Sequence, residues 1–165
     1  MEYQMSETAS HIGDGDGGLR IHPPILAAGL LIAGLVLHLL GGHHRHGAVH
    51  FHQFAGLLLV AAGAWFSSYA AGLFSGRNTT LNPHGQPSEF VKIPPFTFTR
   101  NPMYLGTAAI LLGCAIFFWS PVMVLAPIIF FLVIDRVVIP KEEETLERTF
   151  GITYQDYQRR VRRWL

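Results

Sequence analysis

"MYLGTAAILLGCAIFFWSPVMVLAPIIFFLVIDRVVI", Met103 to Ile139, decides the fold. It contains two apolar runs, Met103 to Trp119 and Pro121 to Ile139, each near the length a helix needs to cross roughly 30 Å of hydrocarbon. So short a join, at Ser120 and Pro121, predicts a tight helical hairpin. Upstream, Pro24 to Leu40 and Phe54 to Phe74 have the same character. Of the 165 residues 50% are hydrophobic and 14% charged, which is too apolar for an ordinary soluble domain of this length. The expectation is an all-α integral membrane protein with about four transmembrane helices, near 24–40, 54–74, 103–119 and 121–139. They form a single multi-pass domain over 23–165, after a mobile tail over 1–22.

The net charge of +1 conceals an asymmetry. Arg77, Lys92 and Arg100 lie between the second and third runs. Lys141, Arg148, Arg159, Arg160, Arg162 and Arg163 follow the fourth, whereas Arg45 stands alone between the first two. With four spans both basic regions share one face, which the positive-inside rule assigns to the cytoplasm together with both termini. Membrane lipid is the expected partner, and nucleic acid is not. The first twenty residues are polar, acidic and glycine-rich, without a signal peptide's basic start, so the first span is expected to direct its own insertion. Cys114, the single cysteine, lies inside the third run and reads as a small buried hydrophobe.

Gly63, Ser67 and Ala71 in the second run, and Ala109 and Gly113 in the third, recur every four residues, a spacing that lets helices approach closely in lipid. Six of the nine histidines fall between His38 and His52. With no Cys, Asp or Glu among them they read as a wet interfacial loop away from the basic side, and no metal site is predicted. A membrane protein that binds metal through this loop remains the alternative from a different class.

The chemistry concentrates on the basic side. Ser75 to Thr99 is a long connection broken by Asn82-Pro83, Gln86-Pro87 and Pro94-Pro95, and loops of that length usually carry function. Asn101-Pro102 is a good helix start, and with Arg100 beside it offers amides and a guanidinium to an anionic group. Tyr104 follows one turn in. The plainer reading of Arg100 and Tyr104 is an interfacial anchor. Asp135 and Arg136 sit near the end of the fourth run, where ionisable groups are expensive and face a bundle interior or a wet cavity. Pro140 is expected to interrupt that helix before Glu142, Glu143 and Glu144. Gly151 should stop the next one, and Thr153 should cap a last amphipathic helix with Tyr154, Tyr157, Val161 and Leu165 on one stripe. Its arginines suit an anionic membrane surface or a lid over a site. An Arg/Asn helix entrance, carboxylates and tyrosines together suit a ligand that is part anionic, part cationic and part aromatic. S-adenosylmethionine is such a molecule.

"RNPMYLG", from Arg100, followed by "EEETLERTFGITYQDYQRRVRRW", from Glu142, resembles the paired signature of isoprenylcysteine carboxyl methyltransferases and their microbial membrane homologues. The likeness runs from about Asn82 to the last residue, roughly half of the chain, with both halves in order around a helical hairpin. It implies a cytoplasmic S-adenosylmethionine pocket built from 82–106 and 136–165, closed by the C-terminal segment, with a lipid-accessible tunnel for an apolar acceptor. By position, Asn101, Pro102, Met103 and Tyr104 match the cofactor-binding tetrad, Phe96 an aromatic that packs on the cofactor, and Ser88, Glu89, Phe90 and Val91 the loop that wraps it. Arg100, Tyr154 and Tyr157 are expected as further cofactor contacts. Glu142 matches the active-site acid and Glu143 completes the pair. Val138 replaces the Arg that eukaryotic members place four residues before that acid, which leaves Arg136 as the nearest guanidinium and disfavours a carboxylate acceptor. Pro94-Pro95 replaces a usual glycine. The implied function is methyl transfer from S-adenosylmethionine to a small apolar or lipid-like acceptor by direct displacement. The rivals are a phospholipid or amine N-methyltransferase and, more remotely, a reductase of the sterol type.

Overall fold

The computed structural model describes residues 21–41, 51–75 and 93–165, which form helices and turns with no strand among them. In chain order they are α1 (Pro23–Leu40), α2 (Phe51–Ser75), α3 (Pro102–Phe117), a 3₁₀ turn (Val122–Val124), α4 (Leu125–Val133), a π turn (Ile134–Val138), α5 (Ile139–Phe150) and α6 (Ile152–Arg160). Three helical stretches among the described residues are long and apolar enough to cross a membrane: Pro23–Leu40, Phe51–Leu73 and Val122–Phe150. Pro102–Phe117 is apolar but shorter. Leu57, Leu58, Ile128 and Leu132 point outward, the stable arrangement where the solvent is lipid.

The hairpin forms where it was expected, with one change. α3 stops at Phe117, because Trp119 adopts a left-handed backbone (φ 48°) and the Ser120 amide donates to the Ala115 carbonyl at 3.1 Å. At this end His38 of α1 lies against the Phe118 ring (5.6 Å between centroids) and His52 of α2 against Trp119 (4.9 Å). The start of α3, α5 and α6 therefore gather at the opposite end, where the site lies.

Two kinds of packing hold the bundle. Ala27 of α1, Leu111 of α3, and Phe130, Ile134, Val138 and Ile139 along the last long helix form a continuous buried core. Between α2 and α3 the contact is backbone on backbone. A Cβ added to Gly63 would stand 2.6 Å from the Gly106 carbonyl, and one added to Gly106 would stand 2.7 Å from the Gly63 carbonyl. Gly56 and Gly113 meet in the same way. Ser67 adds a bond across the seam, its hydroxyl donating to the Met103 carbonyl at 3.3 Å.

Two expectations are corrected. Pro140 does not interrupt the helix, which runs from Val122 to Phe150 as one 29-residue stretch. The π turn just ahead of it resets the hydrogen-bond ladder, so Pro140 falls in the first turn of α5, where its missing N–H is not needed. The last helix is also shorter than its stripe. Gly151 (φ 52°) ends α5 and opens α6, which leaves Thr153 inside the helix rather than capping it. α6 ends at Arg160 with Val161 extended (φ −120°, ψ 129°), and Leu165 is 72% exposed. The tail leaves the helix because its carbonyls have distant partners: the Arg100 amide donates to the Arg162 carbonyl at 3.0 Å, and Thr99 and Asn101 donate to that of Arg163.

Candidate active site

The entrance to α3 is built by Ile93–Asn101. The Phe96 amide donates to the Ile93 carbonyl (2.9 Å), and the Phe98 and Thr99 amides to that of Pro95. Phe96 is buried, and its carbonyl accepts from the Tyr157 hydroxyl of α6 at 2.8 Å. Burial pushes the Tyr157 phenol up to about 12, nearby Tyr154 raising it further against the pull of Arg100. Tyr154, buried beside it, is raised too, by burial first and then by the charge of Glu143.

Asn101 does not cap α3 with its side chain. Its Nδ2 donates instead to the Arg163 carbonyl at 3.0 Å, alongside the buried Thr99 hydroxyl at 3.2 Å. Pro102 is fully buried in the first turn. Arg100 points to α5, its Nη1 lying 2.8 Å from Glu143 Oε1, with both side chains largely buried. Its Nε is the buried side-chain polar atom without a partner among the described residues. With its amide oriented by its neighbours, Gln158 accepts from Arg100 (3.2 Å) and donates to Glu147 (2.9 Å).

The two adjacent acids have different surroundings. Glu143 holds two guanidiniums, Arg100 and Arg163, the latter through Nη2 to Oε2 at 2.6 Å and Nε to Oε1 at 3.2 Å. That bond is also the main reason the Arg163 guanidinium is held above its usual range. Arg163 continues to Asp135 Oδ1 (3.3 Å), which accepts from the Trp164 indole at 2.9 Å. Glu142 turns the other way. Its Oε1 accepts from the Tyr104 hydroxyl at 2.5 Å, and no ion pair among the described residues involves it. Tyr104 in turn walls a cleft of about 530 Å³ between α1, α2 and α3, whose lining includes Ala27, Leu31, Ser67, Met103 and Ile110. Apart from the hydroxyls of Ser67, Tyr104 and Thr107 that lining is apolar, as an alkyl chain requires.

A match to the phospholipid methyltransferase family covers residues 51–153. The chain belongs to that family. This agrees with the resemblance carried by the Arg100 and Glu142 motifs, and makes the chain a member of a membrane methyltransferase family. An uncharacterized protein of Haemophilus influenzae is 43% identical over 63 residues, which are 38% of this chain and the whole of that protein. No solved structure matches the chain.

For this methyltransferase the structure brings together most of the residues expected from sequence. Phe96, Arg100, Asn101, Pro102, Met103, Tyr104, Glu142, Glu143, Tyr154 and Tyr157 all lie at one end of the bundle, linked by the contacts above. Arg136 stands apart: its side chain is 77% exposed and, among the described residues, pairs with its chain neighbour Asp135 alone, at 3.3 Å. Ser88, Glu89, Phe90 and Val91 lie outside the described residues, as do the histidines between His43 and His50. Thr99, Asp135, Arg163 and Trp164 were not among the expected site residues. Asp135 carried a signal, since an acid that deep in a spanning helix needs a partner. Which partner it has depends on a tail that leaves its helix.

Proposed function

We propose that this chain is an integral membrane S-adenosylmethionine-dependent methyltransferase whose acceptor is an apolar, lipid-like molecule bearing an amine. The observation that carries this reading is Glu142: an acid in no ion pair among the described residues, held by Tyr104 at the edge of an apolar cleft, in a chain of the phospholipid methyltransferase family. Among the described residues the neighbouring guanidiniums pair with other acids, Arg100 and Arg163 with Glu143 and Arg136 with Asp135. A carboxylate acceptor would meet the negative charge of Glu142, whereas an amine finds an acceptor for its N–H. The family's printed description, phospholipid methyltransferase, fits the same class.

The rim fits the donor. Among the described residues Arg100 Nε is a buried N–H without a partner that an anionic group would satisfy, and Phe96, Tyr154 and Tyr157 supply aromatic faces for an adenine and a sulfonium. When bound, the donor supplies an electrophilic methyl that transfers by direct displacement and leaves S-adenosylhomocysteine. The chain's own residues do the rest. The cleft strips water from the acceptor, the entrance of α3 orients the reactants, and Glu142 aligns the amine and takes the proton it loses on becoming a methylamine. The basic residues at this end support a cytoplasmic site and cytoplasmic termini.

The test uses the full chain in lipid nanodiscs with labelled S-adenosylmethionine. Expected are a melting temperature raised by S-adenosylhomocysteine but not by zinc, label in amine-headed lipids, and an E142Q variant that binds the donor within twofold while its turnover falls about a hundredfold. Label in a carboxylate acceptor in preference to amines would overturn the amine assignment. Stabilisation by zinc alone would favour the metal-binding alternative.

A further inference from the structure

The two adjacent glutamates differ in what they touch, and the difference assigns them separate work. Glu143 reaches neither the cleft nor Tyr104. It sits between Arg100, at the entrance of α3, and Arg163, in the tail, at 2.8 and 2.6 Å. Asp135 repeats the pattern on the other side of Arg163, at 3.3 Å, and adds the Trp164 indole at 2.9 Å. The Trp164 ring itself packs on Phe131, 4.6 Å between centroids. The carbonyl of Arg163 is then the acceptor for both Thr99 and Asn101, the latter 62 residues earlier in the chain.

From this we infer that Glu143 is a positioning residue: with Asp135 it clasps the tail through Arg163 and Trp164, and the clasped tail holds Arg100 and Asn101 where the methyl donor binds. The inference rests on the methyl-transfer reading above and adds to it a division of labour. Glu142 acts on the acceptor, and Glu143 acts on the donor through Arg100. Both of its oxygens are taken by two guanidiniums, which turns it toward Arg100 and the tail rather than toward the acceptor. Glu143 holds the Arg100 guanidinium at 2.8 Å, and among the described residues its buried Nε is left without a partner. The same clasp explains why the helix stops at Arg160 although its apolar stripe continues.

The experiment measures donor affinity and turnover separately, by calorimetry with S-adenosylhomocysteine and by initial rates at saturating donor, for wild type, E143Q, E143D, W164F and E142Q. W164F removes one indole N–H and keeps a ring on Phe131, so it tests the clasp even if E143Q does not fold. Expected is a ten- to hundredfold weaker donor affinity for E143Q, several-fold for W164F and partial recovery in E143D, each with saturated turnover within about threefold of wild type. E142Q should show the reverse split. Carboxypeptidase should also trim the tail faster in E143Q and W164F than in wild type. Turnover loss with intact affinity in E143Q would make Glu143 a catalytic group and overturn the inference. Unchanged affinity in W164F and E143Q would overturn it alone, whereas a wild type with no donor affinity would remove both it and the reading beneath it.

Discussion

Gly63 and Gly106 bring α2 and α3 together with no charged group in the contact, whereas one turn from Gly106 the entrance of the same helix is fixed by an ion pair to α5 (Arg100–Glu143, 2.8 Å) and by hydrogen bonds of 3.0 to 3.2 Å to the tail, itself held by ion pairs of Arg163. In lipid no hydrophobic drive pushes helices together, so the seam depends on shape, and the absence of a single methyl decides it. At the rim, charged groups set direction, and each carboxylate oxygen selects a particular nitrogen. The seam should therefore be intolerant of volume and the rim intolerant of lost charge.

The largest effect expected is at the seam. Gly106→Val places carbon where even a Cβ would stand 2.7 Å from the Gly63 carbonyl and 2.8 Å from Ser67 Cβ. A loss of about 3 kcal/mol or more should follow, read as a collapsed melting transition in detergent. Gly72→Ala in α2 is the contrast, because nothing lies within 4 Å of the added Cβ and a helix gains from alanine. If both variants melt alike, the seam is not held by shape. A smaller effect is expected where seam and rim meet. Tyr104→Phe keeps the wall of the cleft but removes the donor to Glu142, and should lower turnover about tenfold with little change in melting temperature. An unchanged rate would place the phenol outside the reaction.

The smallest effect is an alkaline one. Tyr157 keeps its proton in the fold up to about pH 12 against an ordinary value of 10. Below 10 both states are protonated and its contribution to stability is complete. Between 10 and 12 the unfolded chain has released a proton that the fold retains, so stability should fall as pH rises through that window. Tyr157→Phe should flatten the fall without touching the melting temperature at neutral pH by more than the loss of one bond to Phe96. An equally steep fall would assign the alkaline limit to other groups, Tyr154 first.

The parts legible in the sequence are those fixed by the solvent. Contiguous apolar length marked the helices, and Ser120-Pro121 marked the hairpin, because a bilayer leaves few other structures open. The four-residue spacing found Gly63, Ser67 and Gly113, although Gly106 and Gly56, which face them, were not singled out. At the site, residue types and the motif resemblance located the α3 entrance and the acid pair. They did not separate Glu142 from Glu143, because that distinction is made by Tyr104 and Arg163, 38 and 20 residues away. Periodicity kept the last helix going to Leu165, but the Arg162 and Arg163 carbonyls bond to Thr99, Arg100 and Asn101 instead. Tertiary partners there outweigh local preference.

The π turn at Ile134–Val138 acts as a gear between lipid and chemistry. One additional residue wound into a single turn rotates everything beyond it by about 100° relative to a uniform α-helix. Wound uniformly from Val122, the same sequence would bring Lys141 round to the direction Glu142 now takes, setting a cation against the Tyr104 phenol. A five-residue irregularity, silent in hydropathy, thus chooses the sign of the charge at the mouth of the cleft.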